Sequence, residues 1–395
     1  SIDLYDDGSR RGAGRFDLTG TALNWPDIGW NKPAAVPAEM NLTFQNQVNG
    51  ALILDKFEFS GAGLQARGSA KFDADAGLIA LASDNFVLGA THLMINAAAR
   101  PGGGYRLDLQ GPSLDLRSFV PRLLDGAKAT DEPPLELNLK IDQVYLTNEV
   151  VLNQLAGTGQ RHDGEWQSAD IHAGMAGGQS IGFTVRPEGR GRRFIVIAGN
   201  AGRMARVLGL YSDARGGTMF LSLLVPPAKG PDDTIVGNLR ADNFRVVKAR
   251  VLTQLLTLGS LTGLGDVLND KGITFTRLDV PFTMRRRQLH IEGARAVGPA
   301  MAVMASGDYG RDNEALRFQG TIVPSYTLNS VLGVIPILGE LLIGRKGEGV
   351  FAFTYNVKGT LDNPKVSVNL LSALAPGFLR RIVEGLDDPA VGDVY

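Results

Sequence analysis

His162 and His172 are the only close pair among the chain's histidines, and Asp163, Glu165 and Asp170 lie between them. Such a set could offer nitrogen and oxygen ligands to a metal. Spread along a strand, the same residues form a solvated surface, and no His-Glu-x-x-His motif accompanies them, so no metal is expected. Adjacent acids occur at Asp6-Asp7, Asp232-Asp233 and Asp387-Asp388. Glycoside hydrolysis needs two carboxyl groups facing each other across a sugar, and solvated turns and termini account for these pairs better. Arginines cluster at Arg190, Arg192 and Arg193, at Arg285 to Arg287, and at Arg380 and Arg381. They could hold phosphate head groups by charge-assisted bonds or solubilise strand ends. The chain has no cysteine and no phosphate loop. Gly344-Arg345-Lys346-Gly347 lacks the glycine spacing and the Lys-Ser/Thr ending that phosphate cradling needs. No acid-base pair or activated nucleophile is assembled, so neither an enzyme nor a cofactor is expected.

The elements that would position these residues are mostly strands. Met40, Leu42 and Phe44 alternate with polar residues, and Leu64, Ala66, Ala70 and Phe72 repeat the pattern. Tyr105, Leu107 and Leu109 follow the glycine turn 102–104, and Leu135, Leu137, Leu139 and Ile141 make one aliphatic face. Near the C-terminus Phe351, Phe353, Tyr355 and Val357 share a face opposite Ala352, Thr354, Asn356 and Lys358. A short helix is expected around Ala201 to Leu210. A longer one follows over Val247 to Leu258, its stripe formed by Val247, Val251, Leu255 and Leu258 and flanked by Leu252 and Leu256. A third lies in the tail, where Leu371, Leu374, Phe378, Ile382 and Leu386 recur at helical steps. Residues 331–343 are apolar almost all round, which suits a buried or interfacial segment.

Composition bounds what such elements can do. A hydrophobic fraction of 44% with 50 Gly and 19 Pro indicates an ordered, turn-rich chain. Forty basic against 41 acidic residues leave a formal net charge of -1, which argues against a nucleic-acid partner. Charges, Gly and two prolines replace the apolar pattern over 125–134, so a soft boundary is placed there. The expected organisation is a β-rich groove segment over 1–124, a linker or loop over 125–134, and a β-groove region with amphipathic helices over 135–395. The fold class is mainly β: a long curved antiparallel sheet of the β-taco, or repeating β-groove, type, with a few amphipathic helices near its C-terminal end.

The string GTLDNPKVSVNLLSALAPGFLRRI, Gly359 to Ile382, resembles the C-terminal signature of the AsmA-like family of bacterial envelope proteins. Upstream, Pro187 to Ser222, Asn243 to Thr283 and Gly320 to Gly349 resemble the same family in order and spacing. Arg250 stands where the family often carries a helix-starting proline, which bears on where that helix begins. The resemblance implies a periplasmic, β-rich conduit for phospholipid, with no catalytic residue. It also implies an inner-membrane anchor upstream of Ser1, where the chain opens without a methionine, signal peptide or anchor.

On that resemblance, the faces of Tyr105, Leu107 and Leu109, of Leu135, Leu137, Leu139 and Ile141, and of Phe351, Phe353, Tyr355 and Val357 are the expected lipid-binding residues. Phospholipid acyl chains, the two membranes or an envelope protein are the expected partners. Exposing an acyl chain of about 16 carbons to water costs on the order of 13 kcal/mol at 0.8 per methylene, a penalty that an apolar trough removes at each step. The alternative is a non-enzymatic periplasmic scaffold that assists outer-membrane protein assembly or envelope permeability.

Overall fold

The computed structural model describes residues 2–4, 9–120, 132–227, 234–258, 272–324, 352–360 and 363–369. The expected tail helix and the apolar segment 331–343 lie outside the described residues. The chain divides into two compact units, Ser1–Val196 and Ile197–Tyr395, and the expected boundary at 125–134 falls inside the first. Both units are mainly β.

The first unit opens with β1 (Ile2–Leu4), β2 (Arg10–Asp17), the small hairpin β3 (Leu23–Trp25) and β4 (Trp30–Lys32), β5 (Ala38–Asn46), β6 (Leu52–Gly61) and β7 (Leu64–Phe72). It continues through β8 (Leu78–Leu88), β9 (Thr91–Ala99), β10 (Tyr105–Asp115), β11 (Leu135–Tyr145), β12 (Val151–His162), β13 (Glu165–Met175) and β14 (Gln179–Glu188). Each main strand pairs with the next, because short turns return the chain beside itself. The turn Asp163-Gly164 has φ of 52° and 72° and joins His162 to Glu165 in register, as a type I′ hairpin requires.

One pairing departs from the antiparallel rule: β10 and β11 run parallel, from Tyr105↔Leu135 to Asp115↔Tyr145. A hairpin cannot join parallel neighbours, which need a crossover of a dozen residues or more. Residues 116–134 separate the two strands in sequence. A second regularity concerns the bulges. β6, β8, β10 and β12 each place two residues opposite one of a partner strand, at 55–56, 84–85, 111–112 and 154–155. Every second strand of this stretch is therefore bent and its twist increased.

β15 (Gly191–Ala198) carries the chain into the second unit, where α1 (Ala201–Val207) is followed by β16 (Ala214–Val225) and β17 (Ile235–Val246). α2 (Arg250–Leu258) precedes β18 (Ile273–Arg285), β19 (Gln288–Val297), β20 (Met301–Gly310), β21 (Ala315–Pro324), β22 (Phe353–Thr360) and β23 (Pro364–Asn369). The Asn200 side chain caps α1 by accepting from the Arg203 amide at 2.9 Å. Gly202 lets that helix lie on the sheet, since a Cβ there would sit 2.5 Å from the Ala214 carbonyl oxygen.

α2 leaves the end of β17 yet packs on β23. On a flat sheet those strands would stand about 29 Å apart at about 4.8 Å per strand, roughly twice the length of a nine-residue helix. The ladder of this unit curls, and α2 lies across its opening. Leu255 and Leu256 are buried, whereas Leu258 is 49% exposed and Val247 precedes the helix. The packed stripe is thus shorter than expected and turned toward Leu256. The helix starts only at Arg250, and its last residue lies beyond the sheet cover.

Candidate functional site

Cross-strand register builds the candidate site from residues remote in sequence. Directly paired residues share a face. One row runs Phe44, Leu54, Ala70, Leu81, Ala97, Leu107 and Leu137 across β5 to β11. The next runs Leu42, Phe57, Gly68, Ser83, Ile95, Leu109 and Leu139. A third holds Met40, Phe59, Ala66, Phe86 and Leu93. Most of these side chains are half-buried. Among the described residues of this unit no α-helix covers them. The result is an apolar sheet face several strands wide, with side chains shielded by one another and by the bent strands.

The two ends of this face differ. At one end Leu64, Leu93, Ile141, Val144, Val150 and Leu152 are buried. Trp30, on the β3–β4 flap, packs edge-on against Phe59 at 5.6 Å between ring centroids and donates from Nε1 to the Ala62 carbonyl at 3.1 Å. The flap is anchored by Lys32, fully buried, whose Nζ donates to the carbonyls of Thr21 at 2.6 Å and Pro33 at 3.1 Å. The opposite end is half-buried at Leu52, Phe72, Tyr105 and Leu135, and Arg161 stands beside Leu135 in register. Its guanidinium pairs with Glu132, and burial pulls its pKa down.

The reverse face of the sheet is polar. Asn138 donates to Asp108 at 2.7 Å, Arg106 to Glu136 at 2.8 Å, and Arg67 to Asp84 at 2.9 Å. The Arg67 hydrogen bond holds the Asp84 carboxyl below its ordinary range, and Asp84 raises the guanidinium in turn. One cleft of the described surface is lined by Arg15, Asn41, Lys56 and Glu58 together with Leu42. Cross-strand ion pairs keep this face solvated.

Of the residues expected to bind lipid, Tyr105, Leu107, Leu109, Leu135, Leu137 and Leu139 come together, half-buried, on the apolar face, and Ile141 marks its closed end. Phe353, Tyr355 and Val357 instead sit in the filled core of the second unit, with Ile322 and Met301. Phe351 lies outside the described residues. Tyr355 lies over Gly320 and donates to the Met304 carbonyl at 2.8 Å, and burial raises its pKa. A strand pattern cannot distinguish such a core from an open face.

Among the described residues no group of three or more His, Cys, Asp or Glu could hold a metal, and no helix is long and apolar enough to cross a membrane. His162 and His172 are separated along β12 and β13, and His162 contacts Asp163 at 3.1 Å. Sequence reasoning passed over Arg161 and the Trp30 flap. The available signal for Arg161 is its spacing: Leu155, Gly157, Gly159 and Arg161 share one strand face, so a charge falls on the apolar side. No family model, curated protein or solved structure matches the chain.

Proposed function

We propose that this chain carries phospholipid between the inner and outer membranes, with acyl chains lying on the apolar face of the first unit. The observation that carries this reading is the alignment of half-buried apolar rows across β5 to β11 with no α-helix over them among the described residues. Contact with such rows is non-directional, so chains of differing length and unsaturation can slide over them. The resemblance of the C-terminal motifs to AsmA-like proteins supports the same reading, and with it a periplasmic location and an anchor upstream.

The test is photo-crosslinking in cells. A photoreactive residue at Leu137 or Leu139 captures phospholipid, whereas one at Asn138 or Lys140, on the reverse face, does not. Equal capture on both faces, or none on either with the protein folded, refutes the conduit and leaves a periplasmic scaffold as the reading to pursue.

A further inference from the structure

The half-buried end of the apolar face carries a cation within an otherwise apolar row. Arg161 lies in register between Leu135 and Trp166, so it shares the face of Tyr105, Leu135 and the leucines beyond them. Its side chain is 19% exposed. Glu132 pairs with Nη1, while Nε is buried and has no hydrogen-bond partner. The neighbouring acids are engaged elsewhere: Glu136 pairs with Arg106 and Arg100 on the reverse face, and Glu165 accepts from Arg192 at 2.7 Å. A guanidinium keeps its charge even when buried, and its planar fork matches the oxygens of a phosphate.

Geometry supplies a second argument. From Leu135 to Ile141 the strand spans about 20 Å at about 3.3 Å per residue. An acyl chain occupies roughly 15 Å of a bilayer leaflet, half of the hydrocarbon thickness. A chain whose head group lies at Arg161 can therefore run along β11 over Leu137 and Leu139 and end at the closed side of the face. The reverse orientation would press a phosphate against Ile141 and Val144, both buried and apolar.

We propose that Arg161 is the headgroup site of the apolar face: its guanidinium binds the phosphate of a phosphate-bearing amphiphile, fixing the orientation of that lipid. The site rests on the reading of this face as an acyl surface. Glu132 competes with the phosphate for the guanidinium, so it weakens retention and permits release. The site therefore selects for a phosphate beside an acyl chain and against the same chains without one.

The test uses the full chain and two lipids with identical chains, dioleoylphosphatidylglycerol and dioleoylglycerol, with retention measured by native mass spectrometry and by titration of a fluorescent analogue of each. The native protein holds both. Arg161→Gln loses about tenfold or more in affinity for phosphatidylglycerol, equivalent to roughly 1.4 kcal/mol, and keeps its affinity for diacylglycerol. Glu132→Gln gains affinity for phosphatidylglycerol only. Inorganic phosphate and glycerol phosphate do not displace the bound lipid.

An equal loss of both lipids in a folded Arg161→Gln variant overturns the proposal, as does no loss of either. Displacement by inorganic phosphate also overturns it, by marking a site for a soluble anion. If Arg161→Gln does not fold, Glu132→Gln decides: unchanged phosphatidylglycerol affinity refutes the headgroup role. Failure of the native protein to hold either lipid defeats the acyl-surface reading itself, an outcome distinct from all of these.

Discussion

At the scale of single residues, two side chains test how the backbone is held. Tyr355 reaches over Gly320 to the Met304 carbonyl, so Tyr355→Phe removes a hydrogen bond from a buried side chain. The expected cost is about 0.5–1.5 kcal/mol in urea denaturation. Because burial raises the Tyr355 pKa, the native state keeps this proton where the unfolded state loses it. Its contribution is complete below about pH 10 and declines as pH rises further, and the Phe variant lacks that alkaline decline. Arg286 and Arg287 form the turn between β18 and β19 with φ of 47° and 64°. A left-handed conformation costs a non-glycine residue about 1–2 kcal/mol, so Arg286→Gly should stabilise the protein by about 1 kcal/mol, as the shift in urea midpoint will show. Arg285 to Arg287 thus stand at a strand end.

At the scale of elements, α2 shows where periodicity informs and where it stops. The spacing of Val251, Leu252, Leu255 and Leu256 made the helix and one buried side legible. It could not show that the helix begins at Arg250 or that Leu258 faces water, because the sheet beneath sets those limits. Leu256→Ala should therefore cost about 2–5 kcal/mol, and Leu258→Ala under about 0.5, by thermal or urea denaturation. The strand Leu135–Tyr145 was equally legible from its alternation. Its parallel partner was not, since a neighbour separated by residues 116–134 leaves no local trace. Arg161 was missed for a related reason. Its chemistry appears only when β11 places Leu135 beside it and Glu132 reaches its guanidinium.

At the scale of the whole molecule, two compact units with similar strand patterns differ in how their apolar surface is covered. α2 and the curled ladder fill the second unit around Ile322 and Phe353, whereas the rows of the first unit remain half-buried. Phe353, Tyr355 and Val357 carry the same alternation as Leu135 to Ile141, so the distinction could not be read from the sequence. Photo-crosslinkers should accordingly capture lipid from Leu137 and not from Phe353, with both variants folded. Acid should weaken the first unit. Hydrogen bonds from arginine hold the carboxyls of Asp84, Asp115 and Glu188 below their ordinary values. Their stabilisation is present at neutral pH and is lost as pH falls below about 4. Because these groups are exposed, the urea midpoint should shift modestly at pH 3 relative to pH 7 and scarcely between pH 7 and 5.

The parallel pair of β10 and β11 sets the order in which the first unit can assemble. The strands from β5 to β10 and those from β11 to β14 zip by hairpins, each closing a short loop, and hairpins form in about 1–10 μs. Joining them requires closure of residues 116–134 before any parallel contact forms, and such non-local pairing is slow. Until that seam closes, both β10 and β11 present bare strand edges next to apolar rows, a state open to pairing with another molecule. Nascent chains are thus most exposed to aggregation at this seam, and a chaperone that shields strand edges would act there.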